Sequence, residues 1–393
     1  MVTETKSPER VQAMRGKIVS LLLLGLITLG LSCAPERKKD IKVEKEKDAP
    51  PPKVELPAEM KPRIEATLKH VHARSLETTF SFWTIFHGIL GMGLDTEVLD
   101  RNTGKKLKAI DFVCAGKDSA GQEVRGLKFE PHPPHGLDVR IGPVPIGQGH
   151  QDQFLAEMIQ WGIARDKPIR VDGVDYTFLD LIRYSKQRAS ATKSQELGWA
   201  ILVIADHYGV DVPPWTNMDG DKVSLQDLLR AELNADMAKA ACGGTHSLFG
   251  LTWVYHLYLQ KGGKIEGVWA DVSKHLLKYK EAAKQFQNPD GTFADTYVNG
   301  PGATTDPDRR INTTGHVLEW LALYLPDDEL RAPWVQDAVM VLCKTILDRS
   351  HTDIDSGSLY HATHGLHLYY DRVFATPETR SRSVMPLPPK GKA

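Results

Sequence analysis

Cysteine is scarce in this chain, with 4 residues in 393, and their wide spacing implies neither a disulfide framework nor a zinc-finger type of ligand set. Charge of one sign is lacking too: 49 Lys and Arg stand against 50 Asp and Glu, a net charge of -1. That balance removes the electrostatic footprint of nucleic-acid binding. Long apolar runs are missing but for residues 18–31, a stretch too short to span a bilayer comfortably. At 41% hydrophobic and 25% charged residues, the chain is neither disordered as a whole nor short of core material.

The one apolar run sits where an export signal would carry it. Arg10, Arg15 and Lys17 precede it, and Gly30, Leu31 and Ser32 lead into Cys33. This ending resembles a bacterial lipobox, although Gly30 stands where leucine is commonest, and it implies lipidation at Cys33. Residues 1–33 are therefore expected to act as a signal and 34–57 as a mixed-charge, proline-rich tether. The folded body, 58–376, would then be exported and lipid-anchored to a bacterial membrane, on the periplasmic side or the cell surface. A basic, proline-rich tail, 377–393, is expected to fray. Cys114, Cys242 and Cys343 remain in the body, an odd number that allows at most one disulfide.

Within the body one pattern recurs. In 241–263 a turn of small residues delivers His246 to the start of an apolar run that ends in Gly262 and Gly263. Weaker versions open at His150, Glu196, His316 and His364, at spacings of 46, 50, 70 and 48 residues. Such spacing predicts one helical hairpin per repeat. Inner, nearly all-apolar helices are expected at 76–90, 149–163, 195–209, 245–261, 313–325 and 360–372. Amphipathic outer helices are expected at 58–73, 176–190, 223–240, 267–287 and 330–348. Ser224 and Asp227 form a capping box that fixes one of those starts. Only 96–142 alternates with period two, so strands are expected there alone. The predicted fold is all-α: an incomplete (α/α)6 toroid of helical hairpins with a small β insertion at about 96–142.

Gln287, Gly291 and Phe293, in the run Gln287, Asn288, Pro289, Asp290, Gly291, Thr292, Phe293, resemble the QW motif of squalene and oxidosqualene cyclases and of related α/α toroids, including protein prenyltransferases. The resemblance implies that the glutamine ties an outer helix to a neighbouring helix end, that the glycine makes the turn and that the aromatic packs between repeats. Phe293 replaces the usual tryptophan, and there is one copy. The Asp-rich acid motif of the cyclases has no counterpart, because Asp219 and Asp221, or Asp353 and Asp355, do not match it. Cyclase chemistry is thus not implied, and fold likeness alone does not name a reaction.

In such a toroid the inner helices run parallel and their N-termini converge on one mouth, where unpaired N–H groups favour anions. Residues brought there would include His150, Glu196, Cys242, His246, His316, Glu319, His361 and His364. The long loop 294–314 would cover them with Asp295, Tyr297, Arg309 and Arg310. A histidine repeated in every unit is read most simply as a structural element, bonded to the adjacent loop through one ring nitrogen.

Three functions are compatible with that mouth. The first is binding of an anionic or carbohydrate ligand in the central cavity, with His150, Arg309, Arg310 and His364 as ligand-binding residues. The second is a polysaccharide lyase or glycoside hydrolase acting on an extracytoplasmic glycan, using His246, His316 or Tyr297 as base or Glu196 with Asp295 as a carboxylate pair. The third is a zinc-dependent enzyme: toroid prenyltransferases hold zinc through Asp, Cys and His, and Cys242 and His246 are the candidate metal ligands here. The partners expected are a bacterial membrane, through the lipid anchor, and a small molecule or glycan, and not nucleic acid. No cofactor is fixed by sequence.

Overall fold

A computed structural model describes residues 54–389 apart from 194, 195, 377, 379 and 382. The signal, lipobox and Cys33, most of the tether, and Gln195 of the second repeat lie outside the described residues. The described chain is mostly helical, with 12 α-helices and only small sheets. No helix among the described residues is long and apolar enough to cross a membrane.

Six helices are buried on nearly every side: α2 (Phe82–Met92), α4 (Gln153–Gln160), α6 (Gly198–Tyr208), α8 (Thr245–Gln260), α10 (Pro307–Tyr324) and α12 (Ser356–Val373). Each packs on the next, and α12 returns to α2. The amphipathic helices α1 (Met60–His72), α5 (Phe178–Arg188), α7 (Leu225–Leu233), α9 (Val268–Gln285) and α11 (Pro333–Asp348) lie against them, each burying one stripe. A further short helix, α3 (Ala109–Ala115), belongs to the 96–142 insertion.

Two glycine contacts set how closely the inner helices approach. A Cβ on Gly250 of α8 would stand 2.1 Å from the carbonyl oxygen of Gly198 on α6, and one on Gly365 of α12 would stand 2.9 Å from the amide nitrogen of Glu319 on α10. Only glycine permits either approach; the first lies beside the contact of Glu196, just before α6, with His246, and the second beside that of Glu319 with His361 and His364.

Boundaries differ from the sequence reading in instructive places. Helix α10 starts at Pro307, with the Asp306 carboxylate accepting from the Asp308 amide (3.0 Å), so Arg309, Arg310 and Asn312 are helical and the covering loop is shorter than expected. Asp152, at φ 60°, delays α4 to Gln153. The capping box at Ser224 and Asp227 is present. In the insertion, β2 (Glu97–Leu99) pairs with β3 (Lys106–Lys108) and with β1 (Leu76–Glu77), and β4 (Phe129–His132) pairs with β5 (Gly136–Val139).

Strands are not confined to 96–142. β1 precedes it, and two hairpins follow: β6 (Pro168–Val171) with β7 (Val174–Thr177), and β8 (Trp215–Thr216) with β9 (Lys222–Val223). The β6–β7 turn is Asp172 and Gly173, both at positive φ, a two-residue loop that the Asp-Gly pair favours. Gln287 Nε2 donates to the carbonyls of Trp334 (2.7 Å) and Gly291 (2.9 Å), joining the end of α9 to the start of α11, and Phe293 is buried against the Trp334 ring.

The far end of the inner helices is covered by the chain's own C-terminal segment, which the sequence reading leaves frayed. The Val384 amide donates to Gln160 (3.0 Å), His256 Nδ1 to the Pro386 carbonyl (2.9 Å) and Gln260 Nε2 to the Leu387 carbonyl (2.9 Å). Helix-end polar groups give this segment the partners that its own composition does not reveal.

Candidate metal centre

The start of α8, the middle of α10 and the second turn of α12 bring His246, His316 and His361 together, each no more than 3% exposed. Their ring centroids are 5.7 Å apart for His246 and His316, 5.6 Å for His246 and His361 and 4.1 Å for His316 and His361. One ligand atom from each lies within 4.8 Å of the others. A tetrahedral ion with bonds of about 2 Å wants donors ~3.3 Å apart, within reach of small side-chain rotations.

What distinguishes the cluster is how Nδ1 is held. His361 Nδ1 donates to Glu319 Oε2 (2.7 Å), and His364 Nδ1 donates to the other oxygen of the same carboxylate (2.6 Å). Glu196 does the same for His150 and His246, at 3.1 Å each. His316 Nδ1 donates to the Asn312 carbonyl (2.8 Å). With Nδ1 engaged, Nε2 is the nitrogen left for a ligand, and Nε2 of His246 and of His364 is buried with no hydrogen-bond partner. Carboxylate or carbonyl behind imidazole is the arrangement that fixes tautomer and ring orientation in metal sites.

The electrostatics agree. Burial works against charge on Glu196, yet hydrogen bonds from His150 and His246 hold its carboxyl down at about 2. Burial likewise opposes Glu319, and His361 and His364 keep it well below the usual carboxylate range. Burial pushes His246 down to about 4, against the pull of Glu196. Burial also takes His316 well below its ordinary value, reinforced by His361 and His246. Near neutral pH the centre therefore holds two ionised carboxylates, and His246 and His316 are neutral imidazoles.

Two further groups of possible ligands overlap this one. His150, Cys242 and His246 form the first, on the outer side. His87, Glu157 and His361 form the second, deeper in. His87 Nδ1 donates to the Trp83 carbonyl (2.8 Å), and Gln153 Nε2 donates to both His87 Nε2 (3.2 Å) and Glu157 Oε1 (2.8 Å). Burial, with the Glu319 charge nearby, pushes Glu157 well above the carboxylate range, so it is a neutral acid. Sequence reasoning missed Gln153 and Glu157, and His87 lies in the middle of α2. The available signal was Gln153 and Glu157, four residues apart on one face of an otherwise apolar helix.

Beside the outer group is a cavity of about 680 Å³ lined by Cys242, Asp295, Tyr297, Asn299 and Arg309. Tyr297 donates to Asn312 Oδ1 (2.9 Å), and its ring lies against His316. Burial raises the Tyr297 hydroxyl above its ordinary range. Arg309 lies over the Tyr297 ring and donates to the Asp295 carbonyl. The structure thus brings together His150, Glu196, Cys242, His246 and His316, with Asp295, Tyr297 and Arg309 beside them. It separates Arg310, which turns to Asp290 (2.8 Å) at the α9–α11 turn. His364 lies behind Glu319, against the Trp161 ring. Cys114, Cys242 and Cys343 are free thiols. No family model matches the chain, and no curated protein or solved structure is similar to it.

Proposed function

We propose that the protein binds a divalent transition-metal ion, of the zinc class, through Nε2 of His246, His316 and His361, with a coordination position left toward the cavity of Cys242, Tyr297 and Arg309. The observation that carries this is the convergence of three buried imidazoles whose Nδ1 atoms are already committed to Glu196, Asn312 and Glu319. Three protein ligands and an open position are the pattern of catalytic rather than structural zinc. Charge supports the same reading: two ionised carboxylates buried behind the ligand imidazoles favour a cation at the centre.

The carbohydrate readings have less support. Both Glu196 oxygens accept from imidazoles, and its low pKa does not suit a general acid; Tyr297 is shifted away from service as a base. A small anionic ligand reaching the metal past Arg309 keeps the central-cavity binding expected from sequence. The closed sequence of inner-helix contacts supports the incomplete (α/α)6 toroid, and the charged start, apolar run and Cys33 support export and lipid anchoring. Under this reading the metal faces an extracytoplasmic compartment. Thermal unfolding of the metal-stripped full-length protein tests the proposal. Added Zn²⁺ raises the melting temperature of the wild type and leaves His316→Ala unmoved; an equal rise in both refutes the assignment.

A further inference from the structure

Two of the ligand groups share His246, and this sharing has a mechanical meaning. Because His246 Nδ1 is held by Glu196, Nε2 offers its only lone pair, and one lone pair serves one ion. The outer group and the inner group therefore cannot both be complete at once. Resting on the metal reading above, we propose that His150, Cys242 and His246 form an outer loading site, from which an ion passes inward to His246, His316 and His361 while His246 stays bound throughout.

Burial runs in the required direction. His150 and Cys242 are half-buried and Cys242 lines the cavity, whereas His246, His316 and His361 are buried. The backbone is shaped to present the thiol: Cys242 sits at φ 48°, ψ 41° in the 3-10 turn Ala241–Gly244, followed by Gly243 at φ 63° and Gly244 at φ 85°. A non-glycine residue in the left-handed region is strained, and such outliers gather where a side chain must be aimed. Glu196 couples the two sites, since the same carboxylate orients His150 and the shared His246.

The transfer balances without redox. On loading, the Cys242 thiol releases its proton to water and a metal–sulfur bond forms, with metal–nitrogen bonds to His150 and His246. On transfer, the bonds to sulfur and to His150 break, bonds to His316 and His361 form, and the thiolate takes a proton back from water. The soft sulfur of Cys242, deprotonated as the ion binds, captures it at the cavity, and the buried site holds it.

Co²⁺ is the probe, mixed by stopped flow with the metal-free full-length protein. Expected in the wild type is a near-ultraviolet thiolate-to-cobalt absorption that rises and then decays into an imidazole-only visible spectrum. In Cys242→Ser the transient is lost and final loading slows by at least about tenfold, while the equilibrium Kd stays within about threefold of wild type. In His316→Ala the thiolate band persists, because the ion has nowhere to go. A thiolate band that persists in the wild type makes Cys242 a resident ligand and overturns the transfer, as does loading with no transient and an unchanged rate in Cys242→Ser. Failure of the wild type to bind Co²⁺ at all overturns the metal reading itself, an outcome distinct from either.

Discussion

Imidazoles stand at both ends of the inner helices, and they differ in what stands behind them. At the far end His256 gives Nδ1 to the Pro386 carbonyl and His367 meets His72 ring to ring, with Nε2 atoms 3.0 Å apart. Each bond there satisfies a local partner. At the near end Glu196 and Glu319 each stand between two imidazoles, so one carboxylate orients two rings at once. Recurrence of histidine along the chain thus does not by itself mark a site. An interposed carboxylate does.

Removing Glu319 strains this contrast most. Glu319→Ala leaves His361 and His364 without the acceptor that orients them, and each buried donor left unsatisfied costs ~1–3 kcal/mol. Metal affinity falls with it by about 10–100-fold, the usual effect of losing a group behind a ligand. Denaturant titration and Zn²⁺ competition with a chelator read the two effects. Gly250→Ala comes next: its Cβ would meet the Gly198 carbonyl oxygen at 2.1 Å, and overpacking of this kind costs ~1–3 kcal/mol. The α6–α8 separation should widen and Zn²⁺ binding weaken, because Glu196 and His246 no longer meet.

Acid sharpens the comparison further. Burial holds His246 at about 4 against an ordinary 6.5, so the unfolded chain binds the proton more readily between those values. Its contribution to stability is unaffected above pH 6.5 and is lost as pH falls toward 4, on the order of 3 kcal/mol at about 1.4 per unit. Glu196, held near 2 against an ordinary 4.5, contributes stability that is present above 4.5 and lost as pH falls through 2. Unfolding of the metal-free protein at a series of pH values should show the first loss, and His246→Asn should flatten it.

At the far end His256→Asn should cost only about 1 kcal/mol, the worth of one hydrogen bond, with metal affinity unchanged. Smallest of all is Lys344→Ala, which breaks an exposed i,i+4 pair with Asp348 worth about 0.3–0.5 kcal/mol. A drop in metal affinity in either variant would dissolve the distinction between the two ends.

The sequence discloses the alternation of inner and outer helices because burial on all sides leaves a helix without a polar stripe. It also groups His150, Glu196 and His246, which lie at or just before the starts of inner helices, with His316, which the structure places in the middle of α10. It does not choose between Arg309 and Arg310: consecutive residues on a helix point about 100° apart, so one faces the cavity and the other Asp290, and the register depends on where α10 begins. Asp306 and Pro307 were the signal for that start. Nor does it reveal the roles of Gln153 and Glu157, whose partners His87 and His361 are distant in sequence. The Asp172–Gly173 hairpin is a local signal that the helical rhythm obscures.

The central claim is that the converging imidazoles at the near end, two of the three backed by carboxylates, and not those at the far end, make a metal site. Calorimetric titration of Zn²⁺ into the metal-free full-length protein tests it directly. The predicted result is one tight site per chain that disappears when His316 and His361 are both replaced by Ala and survives in His256→Asn. No tight site in the wild type, or one that the double replacement leaves intact, would contradict it.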